Sequence, residues 1–139
     1  MSYHTIAPIA GQEPGFHLYL NLGSLMNLPP DSTVPDCLRA VDWDADHDDA
    51  VAAIAAAGYT GVQGASPAAF RRAGLGVTGG GRITAVGELD EEAPRQQDAG
   101  FQGMTLHVGT GLETDDEVDA LVEHVVATAD RLRFPISIE

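Results

Sequence analysis

The chain has 139 residues, 44% of them hydrophobic, which is enough to build the core of a single domain over residues 1–139. Its 21 acidic and 7 basic residues give a formal net charge of −14, which repels phosphate backbones and anionic lipid headgroups, so we expect neither a nucleic-acid nor a membrane partner. The only cysteine, Cys37, excludes an internal disulfide, and no signal-peptide pattern is found near the N-terminus, so the sequence favours a cytoplasmic protein.

The first third of the chain predicts a strand and a long loop. Aromatic and aliphatic residues alternate with others over residues 16–22, which is typical of a strand. The following segment, residues 23–43, contains Pro29, Pro30 and Pro35 and has no regular period. A loop of this length in a compact domain is usually functional or mobile.

After this loop, helical and extended patterns alternate. Asp44 or Asp46 can cap a first helix, and Gly58 can end it in the left-handed conformation. Residues 59–63 then form a short predicted strand. The acidic run 42–49 lacks the central glycine and terminal glutamate of an EF-hand loop, so it predicts a solvated helix N-terminus rather than a calcium site.

The next repeat contains a cluster of glycines. Ser66 and Pro67 are typical of a helix start, and the short helix that they predict precedes a strand at residues 75–78. The glycine cluster 79–81 follows that strand and predicts a tight turn, with a substrate loop in which Arg82 contacts an anion as the alternative. It is not a Walker loop, because no Gly-Lys-Ser/Thr sequence follows.

The C-terminal part of the chain has the strongest helical signal. A weaker helix over residues 88–99, interrupted by Pro94, precedes a strand at residues 104–108. Apolar residues then keep a helical period over residues 114–132, beginning with a Thr-x-x-Glu capping box. A fifth strand follows at residues 136–139.

This alternation of strands and helices predicts an α/β fold with a parallel sheet. Two architectures fit the pattern. One is about half of a TIM-like (β/α)8 barrel, which needs about 250 residues when complete, with strands in the order 1-2-3-4-5. The other is a doubly wound, flavodoxin-like sheet in the order 2-1-3-4-5, which five strands would complete.

Two residues near the ends of the last strands are candidates for chemistry. His107 lies near the carboxyl end of the fourth strand, where α/β folds bind ligands, although a lone strand histidine is more often structural. Glu139 follows an apolar strand, where a carboxylate is expected to be paired or metal-bound unless solvent reaches it. Since both residues end adjacent strands in the barrel order, we expect their side chains to lie together. His124, on the long helix, is expected to be solvated.

The segment 100–139, GFQGMTLHVGTGLETDDEVDALVEHVVATADRLRFPISIE, resembles the fourth-to-fifth strand region of the xylose-isomerase-like TIM barrels, the sugar phosphate isomerase/epimerase group. In that group a strand ending in His-x-Gly is followed by an acidic loop, a long helix and a strand that ends in a metal-binding glutamate. The helix-then-strand segments 44–63 and 66–78 are similar to its first two repeats.

The resemblance implies a divalent-metal-dependent isomerase or epimerase that acts on a small sugar or hydroxy-ketone. His107 would lie in the mouth of the active site as a substrate or metal contact, which makes it the candidate catalytic residue, and Glu139 would be the first ligand of Mn, Mg, Co or Zn. The resemblance carries no other residue over. Gln63, Arg82 and Gly109 are candidate substrate contacts on this chain. The family's other metal ligands come from later strands, which this chain lacks. The branch that cleaves abasic DNA is disfavoured, because its substrate is a polyanion.

Three hypotheses for function remain open at the level of the sequence. The first is an incomplete isomerase-like barrel, and the second is a non-catalytic half-barrel that oligomerises and binds a small polar ligand. In both, exposed strand edges and an apolar inner face predict a homodimer or a partner chain that supplies the missing half. The third is a complete doubly wound domain that binds a phosphate or nucleotide through the glycine cluster 79–81.

Overall fold

The computed structural model describes residues 17–26, 28–43, 45 and 47–139. This part of the chain forms five strands, β1 (Tyr19–Asn21), β2 (Gly61–Gln63), β3 (Gly76–Ile83), β4 (Met104–Val108) and β5 (Ile136–Ile138). Four α-helices connect them, α1 (Asp48–Ala56), α2 (Pro67–Arg72), α3 (Leu89–Asp98) and α4 (Asp115–Leu132). None of the helices in these residues combines the length and the apolar character that crossing a lipid bilayer requires.

The five strands form one parallel sheet in the order β1-β2-β3-β4-β5. The prediction of an α/β fold with a parallel sheet is therefore confirmed. The sequential order is the one that a segment of a (β/α)8 barrel has, and it differs from the 2-1-3-4-5 order of the flavodoxin-like alternative.

All four helices pack on one face of this sheet. Val62 and Val77, neighbours on β2 and β3, are fully buried in a core cluster that includes residues of α1 and α2. Met104 and Leu106 of β4 belong to a second cluster, which contains residues of α3 and α4. Burying one such side chain contributes roughly 1.5–3 kcal/mol, so these two clusters hold the helices to the sheet.

The glycine cluster 79–81 is not a turn, and this prediction was wrong. It lies inside β3, where its residues pair with residues of β4. Sequence propensity disfavours glycine in a strand, but here a tertiary contact requires it. A Cβ atom at Gly79 would overlap the side-chain amide of the buried Gln96, whose Nε2 donates to the Gly80 carbonyl oxygen at 3.0 Å.

The predictions for the helices agree with the structure in part. Gly58 follows α1 with a φ of +90°, which only glycine adopts easily. The predicted caps Asp44 and Asp46 lie outside the described residues, and His47 precedes the helix. Pro94 does not interrupt α3, contrary to the prediction: its missing N–H removes one hydrogen bond in the second turn, while buried side chains on the sheet side keep the helix continuous.

The N-terminal strand and the loop differ in extent from the prediction. Of the predicted strand 16–22, residues Tyr19–Asn21 are paired with β2, and residue 16 lies outside the described residues. The segment 23–43 is also less irregular than expected. A short 3-10 helix, Asp36–Leu38, lies within it, and the Leu38 side chain is buried in the first core cluster.

Candidate functional site

The face of the sheet opposite the helices is polar. Side chains alternate between the two faces of a strand, and Val62, Val77, Met104 and Leu106 face the helices. Their neighbours therefore belong to the other face, and at its carboxyl end these are Asn21, Gln63, Arg82, His107 and Glu139. We call these five residues the polar rim. The sequence led us to expect an apolar inner face, which was wrong, because the alternate positions of the strands carry polar residues and glycine.

His107 and Glu139 lie together within the polar rim. The distance from His107 Nε2 to Glu139 Oε2 is 3.6 Å, which is an ion-pair distance when the imidazole is protonated. The Glu139 amide donates to the Leu106 carbonyl oxygen at 2.9 Å, so the ladder between β4 and β5 continues to the last residue and aligns the two side chains. Both side chains are only partly buried, with exposed fractions of 50% and 31%, so a ligand can reach them.

Arg82 stands beside this pair. It is the direct neighbour of His107 across the β3–β4 ladder, so the two side chains share a face and a height. The Arg82 Nη1 atom donates a hydrogen bond of 2.6 Å to the carbonyl oxygen of Gly109. In the described part of the chain Arg82 forms no ion pair, although 21 carboxylate residues are present in the sequence.

Gln63 and Gly109 lie at the same edge. Gln63 is the last residue of β2. Gly80 has no side chain, and the Gln63 Nε2 atom lies 3.5 Å from the position that a Cβ atom at Gly80 would take. Gly109 follows β4 with a φ of +78°, and a Cβ at this position would lie 2.6 Å from the Glu113 carboxylate. Gly109 thus lets the chain turn sharply away from the rim. All five of the sequence-predicted site residues therefore lie at the carboxyl edge of β2 to β5.

Two glutamates that the sequence did not single out fix the loops at this edge. Glu113 accepts hydrogen bonds from the backbone N–H groups of Thr110, Gly111 and Leu112 and from the Thr110 hydroxyl, at 2.7–3.0 Å. The hydrogen bonds from Thr110, its amide first and then its hydroxyl, together with that from the Gly111 amide, lower the pKa of Glu113 to about 2.

In the preceding loop, Glu88 accepts from the Thr84 and Ala85 amides at 2.6 and 3.1 Å, which lowers its pKa as well. A glutamate at the fifth position after a strand, just before a helix, was the signal available in the sequence.

His124 is not simply solvated, which corrects the prediction for this residue. It is partly buried on α4, and its Nε2 atom accepts the Gly87 N–H at 3.1 Å. Since an acceptor nitrogen cannot carry a proton, this contact requires Nε2 to be unprotonated. The bond joins the β3–α3 loop to α4. A cavity of about 360 Å³ lies nearby, between that loop and the start of α4, and it is lined by neither His107 nor Glu139.

The described residues do not by themselves fit a divalent metal ion. His107 and Glu139 supply two donor groups, whereas zinc takes four ligands and calcium or magnesium takes six or more. Within the described ranges, no three histidine, cysteine or acidic residues are grouped so that they could hold an ion. Any further ligands would have to come from outside these residues.

Comparisons of the chain with models of protein families, with curated proteins and with solved structures found no match. We therefore infer function from the polar rim and from the resemblance seen in the sequence.

Proposed function

We propose that this chain contributes one half of a barrel-type site that isomerises or epimerises a small sugar or hydroxy-ketone. The observation that carries the proposal is the pairing of His107 with Glu139 at 3.6 Å, on the polar face and at the carboxyl edge of a parallel sheet. Ligands of parallel α/β folds bind at this edge. The resemblance of residues 100–139 to the sugar phosphate isomerase/epimerase group points to the same chemistry.

The reaction needs a group that removes a proton from the carbon next to a carbonyl and returns it to another position. An imidazole can do both near neutral pH, because its ordinary pKa is about 6.5. In this proposal the neutral His107 accepts the proton, and the resulting imidazolium is stabilised by the nearby Glu139 carboxylate. The electron pair of the broken C–H bond moves to the carbonyl oxygen and gives an enediolate. In an isomerisation the same nitrogen returns the proton to the neighbouring carbon while the hydroxyl proton there passes to the first oxygen. In an epimerisation water delivers a proton to the opposite face of the original carbon.

The other predicted contacts have separate roles. Gln63 offers both a donor and an acceptor to a substrate hydroxyl, and Arg82 offers N–H donors only. The turn at Gly109 keeps the space above the rim clear. The divalent ion that the resemblance implies is not part of these steps, because this chain supplies only two donors for it. The proposed location is the cytoplasm, as the sequence predicts.

A second candidate function is binding without catalysis, by a half-barrel that oligomerises. It is favoured by the incomplete set of reactive groups on this chain, and it uses the same polar rim. The glycine cluster 79–81 is a poor candidate for phosphate binding, because it belongs to the paired region of β3.

Solvent deuterium exchange separates catalysis from binding alone. The chain is incubated in D2O with dihydroxyacetone or xylulose, and loss of the proton signal next to the carbonyl is followed by NMR, in EDTA and again with added Mn²⁺. We expect exchange above the buffer rate, and a loss of about 100-fold or more in His107→Asn, as is usual for a general acid–base.

His124→Gln is the matched control, because it changes a histidine away from the rim and keeps an acceptor for the Gly87 amide. It should exchange as the wild type does. Exchange at the buffer rate for every substrate, or equal rates in His107→Asn and wild type, would refute the proposed catalysis and leave binding as the function.

A further inference from the structure

We infer that the ligand of the polar rim carries an oxyanion, a carboxylate or a phosphate, which Arg82 binds close to the reacting carbon. This inference deepens the proposed function and rests on it for the position of the reacting carbon. Its test measures binding alone, so the two can fail separately.

The Arg82 side chain keeps hydrogen-bond donors for a ligand. Arg39, Arg95 and Arg131 each pair with a carboxylate, at 3.5, 2.6 and 2.9 Å. Within the described residues Arg82 forms no ion pair, as is also true of Arg71, Arg72 and Arg133. Of these four, Arg82 is the one whose guanidinium is held by a hydrogen bond, to the Gly109 carbonyl oxygen. A guanidinium has five N–H donors, so donors remain for a second partner. Arginine is also the residue that fits carboxylate and phosphate in a bidentate manner.

The position of Arg82 brings a bound anion close to His107. Arg82, His107 and Glu139 lie side by side on β3, β4 and β5 and face the same way. Adjacent strands are about 4.8 Å apart, so an anion on Arg82 would lie about 5 Å from a carbon held at His107. In an extended chain this distance spans about four covalent bonds. It suits a short hydroxy-carbonyl compound with a terminal acidic group better than a long sugar with a distant phosphate.

The positive charge of Arg82 contrasts with the negative charge of the whole chain. The chain has a formal net charge of −14, so its overall field repels anions. The hydrogen bond to the Gly109 carbonyl oxygen holds the guanidinium near the end of β4, two residues along the chain from His107. A neutral sugar would form no ion pair with Arg82. An anionic ligand would form one, and this attraction would offset the repulsion by the net charge of the chain. Binding of a small anion here would therefore be specific to the site.

The experiment compares three probes of similar size, which are glycerol, glycerate and glycerol 3-phosphate. Their dissociation constants are measured by ¹H–¹⁵N NMR titration of the full chain at about 0.15 M salt. We expect both anions to bind about tenfold or more tightly than glycerol, since a charge-assisted hydrogen bond is worth at least that factor. The relative affinities of glycerate and glycerol 3-phosphate identify which oxyanion the site prefers.

Arg82→Gln should remove the difference between the anions and glycerol. Arg72→Gln, which removes the same charge from an exposed position on α2, should preserve it. Equal affinities for all three probes in the wild type, or an equal loss in the two variants, would overturn the inference. Selective binding of the anions without deuterium exchange would support it while refuting the proposed catalysis.

Discussion

At the scale of single residues, the polar rim depends on groups that do not belong to it. The Gly109 carbonyl oxygen anchors Arg82, and Gly109 directly precedes the loop that Glu113 holds through its backbone N–H groups. Glu88 does the same for the loop after β3. These two carboxylates replace the water that would otherwise solvate the loop amides, so the edge of the sheet is ordered before a ligand arrives.

The lowered pKa of Glu113 predicts a pH-dependent contribution to stability. A folded-state pKa of about 2 lies below the ordinary value of 4.5, so this contribution is complete above pH 4.5 and is lost as the pH falls toward 2. We expect Glu113→Gln to be less stable than wild type at pH 6, and the difference to disappear near pH 2. Urea denaturation followed by circular dichroism between pH 2 and 7 measures it.

Glu123→Gln, on the exposed side of α4, removes an equal charge and reports the effect of net charge alone. A difference between Glu113→Gln and wild type that stays constant from pH 2 to 7 would contradict the assignment of these hydrogen bonds to the ionised carboxylate.

At the scale of elements, the strands and helices that depend on local sequence pattern could be predicted from the sequence. The strand at residues 104–108 and the long helix with its Thr-x-x-Glu capping box match β4 and α4, because apolar periodicity determined both. The neighbouring positions of His107 and Glu139 could also be predicted, since each ends a strand in a regular repeat. The full length of β3 and the role of Glu113 could not, because they depend on Gln96 and on loop amides whose positions only the folded chain defines.

The glycines of β3 provide a test of this tertiary explanation. A methyl group at Gly79 would displace the Gln96 amide from its hydrogen bonds to Gly80 and Glu92, so we expect Gly79→Ala to reduce the free energy of unfolding by about 1–3 kcal/mol. At Gly80 the atom nearest to a new methyl group lies at 3.5 Å. Gly80→Ala should therefore change the free energy of unfolding by less than about 1 kcal/mol. Thermal or urea denaturation of the two variants at pH 7 gives the comparison. Equal losses in both would show that strand flexibility, rather than the contact with Gln96, explains the glycines.

At the scale of the whole molecule, the sheet is covered by helices on one face and presents polar groups on the other. The hydrophobic effect therefore gives the second face little reason to associate, in contrast to the apolar inner face expected from the sequence. The two outer edges of the sheet can associate through backbone hydrogen bonds instead. In the described part of the chain, β1 pairs only with β2 and β5 pairs only with β4, so each has an outer row of backbone donors and acceptors. Association, if it completes the barrel, would have to use these edges.

The outer edge of β5 can be assigned atom by atom. Met104 donates to the Pro135 carbonyl oxygen and Glu139 donates to that of Leu106, both at 2.9 Å. Because inward and outward groups alternate along a strand, the N–H and C=O groups of Ile136 and Ile138 point away from β4. A second copy, or a chain supplying the missing strands, can pair with these groups next to Glu139. At about 0.15 M salt the screening length is about 8 Å, so the net charge weakens such pairing without preventing it.

We therefore expect a homodimer whose population rises with concentration, measured by light scattering across a dilution series at this salt concentration. Ile138→Pro removes the outward N–H and should leave a monomer at every concentration, since proline is tolerated on an edge but cannot donate. Ile138→Ala keeps that N–H and loses only the side chain, so it should still associate. A wild-type chain that stays monomeric throughout, or two variants that dissociate equally, would show that β5 does not pair through its backbone. In that case, completion of the site would require a different partner surface.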